Sequence, residues 1–229
     1  MGGYGPLLAQ ISVLALPLIF AITLHEAAHG FVAEKLGDDT ARRAGRVSFN
    51  PLKHIDPLGT VVMPLVLYFV TRGFVFGYAK PVPVNFGRLR HPRIDMVWVA
   101  MAGPGINILM AVAAALLFYA IPVIPAVAVA WAQGNLVNAV WINVLLAVFN
   151  MIPLPPLDGG RVAVGLLPDF LAFPLARIER YGIAVIIGVL FLLPWLGREI
   201  GVDLDIVRII IYWPANMIVQ GIGWLTGVS

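Results

Sequence analysis

Two histidines four residues apart with a glutamate between them, His25-Glu26-Ala27-Ala28-His29, are the residues of this chain best suited to chemistry. On a helix, residues four apart share a face, so both imidazoles can reach one metal ion. Glu26 stands beside them, where it can hold a water and take its proton without being a ligand. The stretch lies inside a long apolar segment, Leu7 to Val32. In a soluble chain this pattern would point to a secreted or cytosolic metalloprotease. Within an apolar helix it points to hydrolysis inside a membrane.

Zinc in a catalytic site takes three protein ligands and keeps one position for water. The chain has no cysteine, which excludes thiolate ligands and disulfides. Of its four histidines, His54 and His91 follow Lys53 and Arg90 in polar stretches and read as surface or interface residues. Carboxylates within apolar spans are rare and need a reason. Asp158 has one. It ends the run Asn150-Met151-Ile152-Pro153-Leu154-Pro155-Pro156-Leu157-Asp158-Gly159-Gly160. Three prolines there break helical hydrogen bonding, and two glycines permit close backbone packing. An aspartate before glycines is also a common turn residue; the histidine pair favours the ligand reading. The expected centre is therefore one Zn2+ per chain on His25, His29 and Asp158. Zinc brings the pKa of a bound water down to about 7. Glu26 would accept that water's proton and pass it to the leaving amine. Asn107 and Asn150, amide donors in apolar surroundings, are candidates for stabilising the oxyanion.

The elements that must position these groups belong to a bilayer. The chain is 60% hydrophobic and 12% charged, with mean hydropathy +0.92, against about 25% charged residues in soluble domains. Its net charge of +3 is small, and the basic residues report orientation rather than nucleic-acid binding. Met1 to Pro6 lacks the basic residues of a signal peptide, so the first apolar segment, Leu7 to Leu36, reads as retained. A basic stretch, Gly37 to Asp56, follows; within it Val47, Ser48 and Phe49 alternate as a short strand ended by Pro51. Leu58 to Val70 is short for a span of ~20 residues and contains Pro64. Basic stretches flank it on both sides, which favours a re-entrant hairpin, with a true short span as the alternative. Further spans are expected over Asp95–Tyr119, Asn135–Leu157, Tyr181–Leu196 and Asp205–Leu225. The loop Ala120–Gly134 has no Lys or Arg and reads as outer. The expected fold is an all-α polytopic membrane protein of five to six transmembrane helices. A small membrane-associated β or re-entrant element lies between the first two full spans. One membrane-embedded metalloprotease domain covers 1–229, with a catalytic core of about 7–165 and C-terminal helices of about 181–225. His25, His29 and Asp158 then share the cytoplasmic side.

Taken together, His25-Glu26-x-x-His29, Gly103-Pro104-x-x-Asn107 and Asn150-x-x-Pro153-x-Pro155-x-Leu157-Asp158-Gly159 resemble the site-2 protease family of intramembrane zinc metalloproteases. Asn50-Pro51-Leu52-Lys53-His54-Ile55-Asp56-Pro57-Leu58-Gly59 resembles a segment of its compact bacterial and archaeal branch. The resemblance covers residues 25 to 160; the last two spans are less diagnostic. It implies cleavage of the transmembrane helices of other proteins, in a prokaryotic cell membrane. It also implies that an extended substrate pairs with an edge strand, for which Val47, Ser48 and Phe49 are the candidates, and that Asn150 positions substrate. Transmembrane-helix substrates and the lipid bilayer are the expected partners, with no nucleic acid. A fused PDZ or nucleotide-sensing domain is not expected. A reading from another class is a membrane metal-binding or zinc transport protein without protease activity. Transport would need polar ligands across both leaflets, and the final spans offer few. A silent scaffold that binds membrane helices has no need of Glu26.

Overall fold

A chain this apolar must satisfy its backbone internally, which a helix does without any partner. The computed structural model describes residues 5–53, 62, 81–201 and 206–228, and among the described residues there are helices and no strands. Helix α1 runs Gly5–Lys35, and the short α2 covers Thr40–Arg43. Helix α3, Pro92–Leu117, starts with proline in its first turn, where no N–H is missed. Helix α4 is Ala126–Asn150. Two shorter helices follow, α5 over Asp158–Leu166 and α6 over Asp169–Ile178. The C-terminal part holds α7 (Gly182–Ile187), α8 (Leu193–Glu199) and α9 (Trp213–Thr226).

Among the described residues three helices are long and apolar enough to cross a membrane: Ile11–Lys35, Pro92–Val123 and Ala126–Asn150. The count of five full spans is thus not reached among the described residues. The described parts of the stretches expected to span, 181–196 and 206–225, are helical, but each carries a π-helical turn, at Gly188–Leu192 and Arg208–Tyr212. Each such turn comes just before a proline, Pro194 or Pro214. A proline supplies no N–H to the preceding turn, and the helix widens there. The apolar run 58–70 lies outside the described residues, Val62 excepted, as does His54. The strand expected at Val47–Phe49 is not formed; the chain bends at Val47 and Phe49. Ser48 Oγ accepts the Asn50 N–H at 3.2 Å, and Asn50 Oδ1 accepts the Leu52 N–H at 3.0 Å. Such local side-chain bonds turn the backbone in place of a ladder.

Helices α1, α3 and α4 pack pairwise, α5 lies on α3, and α9 covers α3 and α4. The core between α3, α4 and α9 is Ala111, Ala114, Ala115, Val140, Val144, Ala215 and Ile222. Small side chains are what allow membrane helices to approach closely. One polar lock lies in the α1–α4 seam. Pro17 is inside α1 and donates no hydrogen bond, so the carbonyl four residues earlier, Val13 O, loses its helical partner. Asn138 Nδ2 on α4 donates to that carbonyl at 2.8 Å. A second lock closes the other end of α1. Asp38, fully buried, accepts the Asn85 N–H at 2.6 Å, the Thr40 N–H at 3.1 Å and the Thr40 hydroxyl. Leu36 O accepts the Arg90 N–H at 3.0 Å, and Arg88 pairs with Asp39 at 3.1 Å. Residues 81–90 are in this way tied to the end of α1.

Burial by itself pushes the Asp38 carboxyl up. Its hydrogen bonds from Thr40 and Asn85, with the nearby Arg88 charge, outweigh that and hold it below its ordinary value. A lowered pKa in the folded state contributes stability above the unfolded value of about 3.9, and that stability is lost as pH falls through the folded value. Protection of the 81–90 amides against hydrogen exchange should therefore fall in that acid window. It should also fall roughly thirtyfold in Asp38→Ala, matching about 2 kcal/mol for bonds to a charged group. For the α1–α4 lock, Asn138→Leu should destabilise the protein in detergent unfolding by about 1 kcal/mol. Adding Pro17→Ala, which restores an N–H for Val13 O, should recover that loss.

Candidate metal centre

The centre is built on the buried face of α1. His25 and His29 are 7% and 8% exposed, one helical turn apart. Each ring is fixed by its Nδ1. His25 Nδ1 donates to Asn107 Oδ1 at 2.6 Å, and His29 Nδ1 donates to the Val99 carbonyl at 2.7 Å. A carbonyl oxygen can only accept, so each Nδ1 carries a proton, and in the neutral ring each Nε2 presents a lone pair. The two Nε2 atoms are 3.0 Å apart.

Asp158 completes the triangle. Helix α4 ends at Asn150, the chain turns through Met151–Leu157, and Asp158 is the first residue of α5. The expected break is therefore present, with the carboxylate at the start of a new helix, where the backbone N–H groups favour negative charge. Gly159 and Gly160 permit this return: a Cβ on Gly159 would strike the Met151 carbonyl, and one on Gly160 would strike the Leu154–Pro155 peptide. Asp158 Oδ2 lies 3.1 Å from His25 Nε2 and 3.3 Å from His29 Nε2, and it is buried without a hydrogen-bond donor.

With both rings neutral, three acceptors face one another with no donor between them. Such an arrangement calls for a cation. Ligand atoms ~2.0–2.1 Å from a tetrahedral zinc stand about 3.3 Å apart, and the observed edges of 3.0, 3.1 and 3.3 Å fit that size. His25, His29 and Asp158 are the one group of three metal-ligating side chains among the described residues. Gly103 on α3 lets the backbone close over it. A Cβ there would stand 2.5 Å from both Nε2 atoms.

Glu26 is half-buried and not one of the three. Its Oε2 accepts the Val82 N–H at 2.8 Å, which fixes the carboxylate against residues 81–85. Val82 and Val47 both close on α1 at Gly30, next to His29. A Cβ on Gly30 would be 3.0 Å from Val82 Cγ1 and 3.1 Å from Val47 Cγ2. The loop holding Val47, Ser48 and Phe49 therefore packs beside the centre, with Phe49 exposed. Asn107 is fully buried. Its Nδ2 faces Asn143 Oδ1 at 2.7 Å and the Ala21 carbonyl at 3.3 Å, and its Oδ1 faces the His25 imidazole. Asn150 Nδ2 bonds Leu146 O of its own helix at 2.9 Å and does not join the set around His25. His91 is exposed at the start of α3. Asn143, 1% exposed, is a member of the network that motif reading passed over. Its signal was an amide at mid-span in an apolar helix.

Comparison with known proteins agrees with this chemistry. The family model described as Peptidase family M50 matches residues 120–194, a stretch that contains Asp158. YwhC of Bacillus subtilis, named as a zinc metalloprotease, is 37% identical over 194 residues, covering 82% of this chain and 83% of that protein. Rip2 of Mycolicibacterium smegmatis, named in the same way, is 31% identical over 182 residues, covering 79% of this chain and 66% of that protein. No solved structure is significantly similar. The chain is a metalloprotease and belongs to peptidase family M50, the site-2 proteases.

Proposed function

We propose that this protein is a zinc-dependent intramembrane endopeptidase, holding one zinc ion on His25, His29 and Asp158 and cleaving peptide bonds in or near transmembrane segments of other proteins. The observation that carries the proposal is the convergence of three buried ligand atoms next to a carboxylate, Glu26, that is not among them. A structural zinc site is closed by four protein ligands; three ligands leave a position for chemistry. Transport is less well supported, because a path across the bilayer needs ligand groups at several depths.

When bound, zinc supplies Lewis acidity toward water and the scissile carbonyl. Glu26 takes a proton from the attacking water as its oxygen bonds to the carbonyl carbon. It then delivers that proton to the amine nitrogen as the C–N bond breaks. The Val82 N–H holds Oε2, which leaves Oε1 free for the proton. A helical substrate shields its peptide bonds with its own hydrogen bonds, so the substrate must reach Glu26 extended. The loop with the exposed Phe49, which packs against α1 through Val47, is the proposed approach. Arg42, Arg43, Arg88, Arg90 and Arg93 cluster in sequence near the His29 end of α1 and the start of α3, whereas residues 118–125 at the far end of α3 have no Lys or Arg. By the positive-inside rule this supports a centre toward the cytoplasm of a prokaryotic cell membrane, with the C-terminal helices adding further crossings.

The test uses purified protein in detergent, zinc and a single-span peptide substrate. Glu26→Gln should keep its zinc and lose about 10²–10⁴-fold in cleavage rate. Equal rates for Glu26→Gln and wild type would overturn the role given to Glu26. His25→Ala and Asp158→Ala should lose zinc, measured by elemental analysis after chelator washing. In Gly103→Ala the added methyl meets both rings. Zinc affinity should drop at least ~10-fold, and stability by about 1–3 kcal/mol as for other overpacked sites; unchanged affinity would argue against so close a passage of α3.

A further inference from the structure

We infer that Asn143 is a positioning residue for the metal centre: through Asn107 it holds His25 in the tautomer whose Nε2 can bind zinc. Asn143 touches neither ligand nor reacting atoms. It lies on α4, and its effect on α1 passes through an amide on α3.

The argument is one of hydrogen-bond polarity. Asn143 Nδ2 donates to the Ala139 carbonyl of its own helix at 2.8 Å. A backbone carbonyl can only accept, so the nitrogen of the Asn143 amide must face it. The Asn143 oxygen is then turned toward Asn107, which meets it with Nδ2 at 2.7 Å. Asn107 must in turn show its oxygen to His25, at 2.6 Å from Nδ1. Nδ1 therefore carries the hydrogen, and the lone pair is on Nε2, 3.1 Å from Asp158 Oδ2. Every bond from His25 outward has its donor on the side nearer the metal centre, and the series ends on a group that cannot reverse. Amides and imidazoles can each be turned around in isolation; here the fixed end removes the choice.

Burial makes this binding on the structure. Asn107 and Asn143 are 0% and 1% exposed. In a water-poor interior a reversed amide would set donor against donor or acceptor against acceptor. The Ala21 carbonyl at 3.3 Å offers Asn107 Nδ2 a second, longer acceptor. Loss of Asn143 should therefore weaken the preference without abolishing it. With Asn107 reversed, its NH2 would face His25 Nδ1, the ring hydrogen would move to Nε2, and zinc would have to displace it. His29 has a simpler arrangement, since its Nδ1 is held by the Val99 carbonyl directly. The dependence on a distant residue is therefore specific to His25.

This inference rests on the zinc reading above, and the experiment separates the two. Zinc affinity of the full chain in detergent is measured by chelator competition. Partners behind a metal-ligating histidine contribute about 10–100-fold in affinity. Asn107→Leu should lose about that much, and Asn143→Leu about tenfold. The double variant should match Asn107→Leu alone, because Asn143 acts only through Asn107. Asn143→Asp should restore affinity, since a neutral carboxyl group in the span donates its O–H to Ala139 O and offers its carbonyl to Asn107. It also serves if Asn143→Leu fails to fold. Independently of zinc, the ring nitrogens of 15N-labelled histidine are read by NMR in the metal-free protein with the ring neutral; with four histidines in the chain, His25 can be assigned by substitution. His25 should show an Nδ1–H tautomer in wild type and Asn143→Asp, and a mixed population in Asn143→Leu. If wild type bound no zinc but showed this tautomer pattern, the zinc reading would fail and the role of Asn143 would stand. Unchanged tautomer and affinity in folded Asn143→Leu, or additive losses in the double variant, would overturn it.

Discussion

Three ligating atoms converge in a buried space: His25 Nε2, His29 Nε2 and Asp158 Oδ2, within 3.0–3.3 Å of one another. In an interior of low dielectric such a convergence is unfavourable unless a positive ion sits among the lone pairs. The arrangement exists because other bonds hold it in place. Two Nδ1–H bonds aim the rings, the Met151–Leu157 turn delivers the carboxylate, and Gly103 yields the volume that a side chain would fill. Membrane helices are well suited to this, since their backbones are internally satisfied and stiff, and few waters compete for the ligand atoms.

The same constraint divides the work among the helices. Helix α1 carries both rings and Glu26. Helix α3 contributes the acceptors behind the rings, Asn107 and the Val99 carbonyl, together with the closest backbone approach. Helices α4 and α5 contribute Asn143 and Asp158 on either side of the break between them. Glu26 is held by different means, a backbone N–H from an irregular segment that is itself tied to the end of α1 through Asp38. The three candidate ligands and Glu26 thus rest on different supports. Helices position the three candidate ligands; a loop positions Glu26.

Much of this was legible in the sequence because each signal was local or chemically rare. The histidine spacing needs only the helical period, and Asp158 stood out as a carboxylate between prolines and glycines in an apolar setting. What could not be read was pairing. Asn107 and Asn150 looked alike as amides in apolar helices, but only the packing of α3 between α1 and α4 turns Asn107 toward His25, while Asn150 bonds its own helix. Asn143 carried the same signal, an amide in an apolar helix, and its partner could not be read from it. The alternation at Val47–Phe49 suggested a strand, yet strands require a partner, and local bonds from Ser48 and Asn50 took the backbone elsewhere. The C-terminal spans were read from apolar length alone, which does not register the π turns before Pro194 and Pro214.

The proline within α1 has a consequence at the opposite end of the bundle. Val13 O, freed by Pro17, can be satisfied by Asn138 only when α4 stands at one height along α1. Sliding either helix by a turn would strand a carbonyl in hydrocarbon, so the defect acts as a depth gauge for the pair. Because α4 runs on from Asn138 through Asn143 to the turn before Asp158, the gauge also sets the level at which the carboxylate meets the rings. A flaw in one helix thereby serves as the vernier that aligns the metal ligands of two.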